Sequence, residues 1–218
     1  MSYLLNPLNY DLTDPESIPN LLVTHLTIVG ISMLISIIIA IPIGLFVARY
    51  KWLDLPVITF ADILYTIPAL VLLGFLVPVT GLTETTMIIP LILYAQLVLI
   101  RNTVAGVNNI DPLMLEIGRA MGMNRFQLLI RVTLPLSLPI IIAGIRVATV
   151  TSIGIASLGT LVAAGGLGDL IFTGLENLNT DQVLAGVIVI SALAIVADLL
   201  LLALQVALNR GRSAVSLA

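Results

Sequence analysis

Long apolar runs separated by short polar breaks organise this chain. A helix needs about 20 apolar residues to cross ~30 Å of hydrocarbon. Leu21–Ala48 meets that length without a charged residue. Leu55–Val79 follows, broken by Asp62, Pro68 and Gly74. A third run starts near Thr86, reaches Ile100 and is expected to stay helical past Arg101. The fourth, from about Leu136 to Ala164, carries Arg146, and the fifth, Gln182–Leu208, carries Asp198 and Gln205. The pattern predicts an all-α polytopic membrane protein with five transmembrane helices. No internal repeat of domain-building length is visible.

The basic residues set the expected orientation. Arg49 and Lys51 follow the first run, Arg101, Arg119, Arg125 and Arg131 lie between the third and fourth, and Arg210 and Arg212 follow the fifth. The N-terminal tail, the Thr80–Thr85 turn and the Gly165–Asp181 loop hold only acidic charges: Asp11, Asp14, Glu16, Glu84, Asp169, Glu176 and Asp181. Lys and Arg favour the cytoplasmic side, so the N-terminus is expected outside and the C-terminus in the cytoplasm. The tail lacks the positive start of a signal peptide, and the first run is too long for one, so it is read as a retained span. The organisation expected is an external tail over 1–20, a membrane domain over 21–209 and a cytoplasmic tail over 210–218.

Composition sharpens the class. Hydrophobic residues make up 59% of the chain and charged residues 10%, with a mean hydropathy of +1.17. A water-soluble domain carries about 25% charged residues, so that class is excluded. The net charge is −3, which gives no footprint for nucleic acid. Without cysteine there is no disulfide, thiolate metal site or cysteine nucleophile. The only lysine, Lys51, follows Tyr50, so a phosphate-binding G-x-x-x-x-G-K-[ST] loop is impossible. No serine stands in a nucleophile elbow. His25 is alone and reads as an amphipathic residue near the outer interface. An enzyme is not expected, and energy for uphill transport must come from another chain.

One polar segment, between Arg101 and Pro135, is well punctuated. Asp111-Pro112 reads as an N-cap with a first-turn proline. A helix over Leu113–Met121 is expected to stop at Gly122, and Asn124 to cap a second helix in a capping box with Gln127. That second helix is expected to end near Pro135. Such a pair either rests at the headgroups or docks a partner. The glycine hinge and exposed Met121 and Met123 favour docking.

The residues Glu116-Ile117-Gly118, Gly122 and Val132-Thr133-Leu134-Pro135 resemble the EAA motif of ATP-binding-cassette importer permeases. Ile117 and Gly118 depart from the two alanines of that motif. The resemblance covers about Asn20 to Asn209 and implies a type I permease with a coupling segment at 111–135. It places ATPase contacts at Glu116, Arg119, Ala120, Gly122, Met123 and Arg125. The implied partners are a second permease subunit, identical or paralogous, two ATPase subunits and an external solute-binding protein. ATP and magnesium would belong to the ATPase, leaving this chain without a cofactor, in a prokaryotic inner membrane. Three stretches are similar to osmoprotectant permeases, which import glycine betaine, carnitine and choline: Thr66-Ile67-Pro68-Ala69-Leu70, Ile100-Arg101-Asn102-Thr103 with Asp111-Pro112, and Gly165–Phe172. The last is shared with methionine permeases, so methionine or another small solute is the alternative cargo.

Candidate residues for the path are Asp62, Tyr65, Thr66, Thr149 and Ser152. Charges inside a span are costly, which marks Asp62, Arg146 and Asp198. A structural Arg–Asp pairing is the favoured reading of all three. Gly144, Ala148, Ser152, Ala156 and Thr160 form a small-residue row, read first as packing within the chain and second as contact with another permease subunit. A stand-alone secondary transporter is the rival class, but it predicts inverted repeats that five spans supply poorly.

Overall fold

A computed structural model describes residues 2–213. The end of the expected tail, 214–218, lies outside the described residues, as do the side chains of Arg210 and Arg212. A short helix α1 (Ser2–Leu5) and a 3-10 turn (Pro7–Tyr10) lead into α2 (Ile18–Arg49). A 3-10 turn (Lys51–Leu53) then opens α3 (Asp54–Thr66), followed by α4 (Ala69–Thr80) and α5 (Glu84–Asn108). Beyond these come α6 (Pro112–Ala120), α7 (Arg125–Leu128), a π turn (Leu129–Thr133), α8 (Leu134–Ala156) and a 3-10 segment (Ser157–Val162). The chain closes with α9 (Gly168–Glu176) and α10 (Thr180–Ser213). Four helical stretches are long and apolar enough to cross a membrane, and α3 with α4 makes a bent apolar pair that brings the number to five if it is one span.

Small residues decide how the long helices meet. At Gly44 of α2, a Cβ would lie 2.5 Å from Cβ of Thr103, so α2 and α5 run side by side in the same sense. Gly144 of α8 faces Asn102, and Gly106 of α5 faces Ser137, which sets α8 antiparallel to α5. Ile28, Val29 and Met33 of α2, Met87, Leu91 and Leu99 of α5, and Ala148, Ile153 and Ala156 of α8 fill the core between them. The small-residue row therefore packs within the chain: Gly144, Ala148, Ser152 and Ala156 are all buried. Helix α10 lies outside this trio against α8 and α9, and buries Ala185 and Gly186 near its start while much of the rest stays open.

Four features depart from the sequence reading. First, the second span is not one helix: its halves meet at 88°. Pro68 disfavours the α conformation at the residue before it, and Ile67 is extended, with φ −68° and ψ 123°. Second, the helix after Asn124 does not end near Pro135. It runs through the π turn directly into α8. Leu134 donates its N–H to the carbonyl of Leu129, five residues back, and Pro135, which has no N–H to give, follows this widened turn. Third, the Gly165–Asp181 loop contains α9. Gly168 and Gly174 let it approach Ser157 and Val183, and Leu170 is buried.

The fourth departure is His25, which is buried completely and not interfacial. Its Nε2 donates to the carbonyl of Ile153 at 3.1 Å, and its Nδ1 accepts the N–H of Leu167 at 3.3 Å. A backbone N–H can only donate and a carbonyl only accept, so the ring is neutral with its proton on Nε2. The Ile153 carbonyl is free for this bond because the N–H of Ser157 turns to Gly154 and Ile155 as the helix tightens into 3-10 form.

Candidate functional site

Two constructions concentrate chemistry: a projecting helix pair and the face around the broken span. In the first, Asp111 accepts the N–H of Leu113 at 2.9 Å and starts α6. Gly122 has φ +78° and ends it. Gly122 donates to Arg119 O at 2.9 Å and Met123 to Gly118 O at 3.2 Å, the paired bonds of a Schellman stop. Asn124 and Gln127 exchange bonds at 2.9 Å in each direction, completing the capping box that starts α7.

Gly118 explains how closely the two helices fold together. A Cβ there would sit 2.6 Å from Cδ1 of Leu128, with Met123 and Val132 beside it. Folding the inner faces together leaves Leu113, Met114, Ile117, Met121 and Phe126 exposed, Phe126 at 69%. Of the six residues assigned to coupling, Glu116, Arg119, Ala120, Gly122 and Arg125 are exposed and Met123 is half-buried. Glu116 and Arg119 share a helix side but form no ion pair with each other. The result is an apolar patch with free charges at its edge.

The second construction is the face of α3 and α5 at the bend. Arg101 donates from Nη2 to Oδ2 of Asp62 at 2.6 Å, with the two side chains 51% and 41% exposed. Tyr65 and Tyr94 stand edge to face, their ring centres 5.8 Å apart. The Tyr94 hydroxyl donates to Ile67 O at 2.6 Å. That carbonyl needs the bond, since the N–H of Val71 turns to Pro68 instead. Thr66 donates its hydroxyl to Ile63 O at 2.7 Å. The structure thus gathers Asp62, Tyr65 and Thr66 and adds Arg101 and Tyr94, which the sequence reading did not assign to a path.

A charged side chain at mid-bilayer costs about 2.5–3.5 kcal/mol on insertion scales. A half-exposed Asp–Arg pair at membrane depth would therefore favour water or protein over lipid. Thr149 and Ser152 lie elsewhere. The Thr149 hydroxyl donates to Ile145 O at 2.8 Å, and the buried Ser152 hydroxyl points to Sδ of Met33 at 3.7 Å. Neither is hydrogen-bonded to the group at the bend.

Arg146 and Asp198 do pair, and the pair is part of a larger clasp. Nε and Nη2 of Arg146 donate to the two oxygens of Asp198, each at 2.9 Å. Nη1 donates to Oε1 of Gln205 at 2.9 Å, and Nε2 of Gln205 donates to Pro139 O at 2.9 Å. This fastens α10 to α8. Asp62 finds Arg101 as its partner, a pairing that the apolar runs alone could not reveal because 39 residues separate them.

Residues 40–213 match the family model described as a binding-protein-dependent transport system inner membrane component. The carnitine transport permease OpuCD of Listeria monocytogenes is 44% identical over 81% of this chain and 80% of its own length. The glycine betaine/carnitine/choline permease OpuCD of Bacillus subtilis is 45% identical over 81% and 78%. The osmoprotectant import permease OsmW of Salmonella typhimurium is 35% identical over 94% and 98%. Among solved structures, an inward-facing MetNI methionine transporter aligns with a TM-score of 0.76 and 22% identity, over 85% of this chain and 93% of the other, which establishes the shared fold. With helices that suit a bilayer and a capped helix pair where the EAA-like residues lie, the chain belongs to the inner-membrane permeases of binding-protein-dependent ABC transport systems.

Proposed function

We propose that this chain forms the translocation path of an ATP-driven importer of osmoprotectants of the quaternary-amine class. The observation that carries the reading is the identity of 44–45% to permeases named for carnitine, glycine betaine and choline. The chain works beside a second permease subunit, two ATPase subunits that hold ATP and magnesium, and an external solute-binding protein. It contributes no catalytic group itself.

The N-terminus lies outside and the Arg-rich segments lie in the cytoplasm, in keeping with the distribution of Lys and Arg. The coupling segment is α6, the Gly122 turn and α7. Its exposed apolar patch suits a groove on the ATPase, and its rigid stop and start transmit motion without bending. Because α7 continues into α8, a push on the patch reaches the membrane core along one helix. The test is uptake into vesicles by the complete complex. Labelled glycine betaine, carnitine or choline should accumulate with ATP, and methionine should not. Accumulation of methionine alone would refute the substrate class and leave the permease role intact.

A further inference from the structure

The group at the bend has the chemistry of a zwitterion receptor. Asp62 and Tyr65 stand three residues apart on α3, and Tyr94 and Arg101 seven apart on α5, so each pair shares one helix side. The two helices bring them together in matching order, ion pair beside ion pair partner and ring beside ring. We infer that Asp62, Tyr65, Tyr94 and Arg101 form a transient site for a solute that carries a trimethylammonium group and a carboxylate. This rests on the quaternary-amine reading above and narrows it to zwitterions.

The physical case is one of exchange. In the structure Arg101 and Asp62 neutralise each other through a single 2.6 Å bond while both remain about half open. A zwitterion carries the same two charges in opposite order. Its carboxylate can take the guanidinium of Arg101, which is built for planar oxygen pairs. Its ammonium can then lie between the freed Asp62 and the half-exposed ring of Tyr65, since a quaternary nitrogen has no N–H and is held by charge and by aromatic faces. No charge is left without a partner at any stage. Tyr94 is different: its hydroxyl is committed to Ile67 O, so it fixes the bend and stands perpendicular to the ring of Tyr65. A bare cation such as choline satisfies only half of the arrangement.

The experiment compares two probes, glycine betaine and choline, in vesicles holding this chain with its ATPase and solute-binding partners. Arg101→Gln should slow betaine uptake by about tenfold or more and choline uptake by less than about twofold. Tyr65→Ala should slow both, and Tyr65→Phe should recover, because the aromatic face is kept. The double variant Asp62→Asn with Arg101→Gln leaves no orphan charge. If the pair merely fastens α3 to α5, this variant should regain betaine uptake; a zwitterion site requires that it stay slow. An unchanged betaine-to-choline ratio in Arg101→Gln, or recovery in the double variant, overturns the inference. So does a wild-type complex that imports choline and not betaine. If the wild type imports betaine alone, the double variant and the Tyr65 pair decide. If charge variants fail to assemble, the Tyr65 pair decides. A wild type that imports no quaternary amine refutes the function reading itself, and that result is obtained before any variant is measured.

Discussion

At the scale of single residues, buried polar groups and close glycines carry the strongest expectations. His25 joins α2 to the end of α8 and to the loop before α9 through two hydrogen bonds. His25→Phe keeps the ring but strands the N–H of Leu167, a loss of about 1–3 kcal/mol for a buried unsatisfied group. The thermal midpoint of the purified chain should fall, and His25→Gln should recover part of the loss. Gly168→Ala should be harsher, because the new Cβ would overlap the carbonyl oxygen of Ser157, and a backbone atom cannot swing aside. Gly30→Ala is the control, since its Cβ meets nothing within 4 Å. A size-exclusion profile in detergent should show aggregation for the first glycine variant and none for the second. The role of His25 was illegible in the sequence: a lone histidine in an apolar run gives no sign of its two partners, which lie 128 and 142 positions away. Arg101 was equally hidden as a partner of Asp62, although both charges were in view.

At the scale of elements, local chemistry was highly legible where the signal is short-range. Asp111, Gly122, Asn124 and Gln127 occupy the cap and turn positions that their side chains favour. Gly122 has open space around it, so substitution there tests backbone conformation alone. Gly122→Val should cost about 1–3 kcal/mol by forcing a β-branched residue to positive φ. Gly122→Asn, which tolerates that region, should be mild. In the assembled complex, solute-stimulated ATP hydrolysis should fall with Val and persist with Asn, while the unstimulated rate changes little. Glu116→Ala should lower the same stimulation without altering the yield of complex. Full stimulation in both Gly122→Val and Glu116→Ala would reduce the helix pair to an interfacial surface. What the sequence concealed at this scale is continuity. Pro135 reads as a stop, yet it follows a π turn and the helix continues through it. Likewise α9 was hidden, because two glycines within nine residues read as a loop when they in fact serve close packing.

At the scale of the whole molecule, four long apolar helices were legible from apolar runs, since burial in lipid writes its demand directly into composition. The angle of the second span was not, because a proline marks a break without stating where the next helix goes. Orientation is testable on a chain with no native cysteine. Cysteine introduced at Thr83 or Asn179, both exposed, should react with a membrane-impermeant reagent in intact cells, and cysteine at Asn124 should react only after lysis. Labelling of position 124 from outside would invert the topology. The bend itself bears on how the subunit survives in the cell. The 13 residues of α3 extend only about 20 Å and the 12 of α4 about 18 Å, so neither half alone crosses the hydrocarbon. An orphan copy would therefore offer lipid an open elbow and a charged pair, both costly in hydrocarbon. Its lifetime should be governed by its partners: in a pulse-chase experiment the chain made alone should decay quickly, and co-synthesis of the other subunits should rescue it. Cellular stoichiometry would then be set by degradation of the unpaired subunit, with no need for matched rates of synthesis.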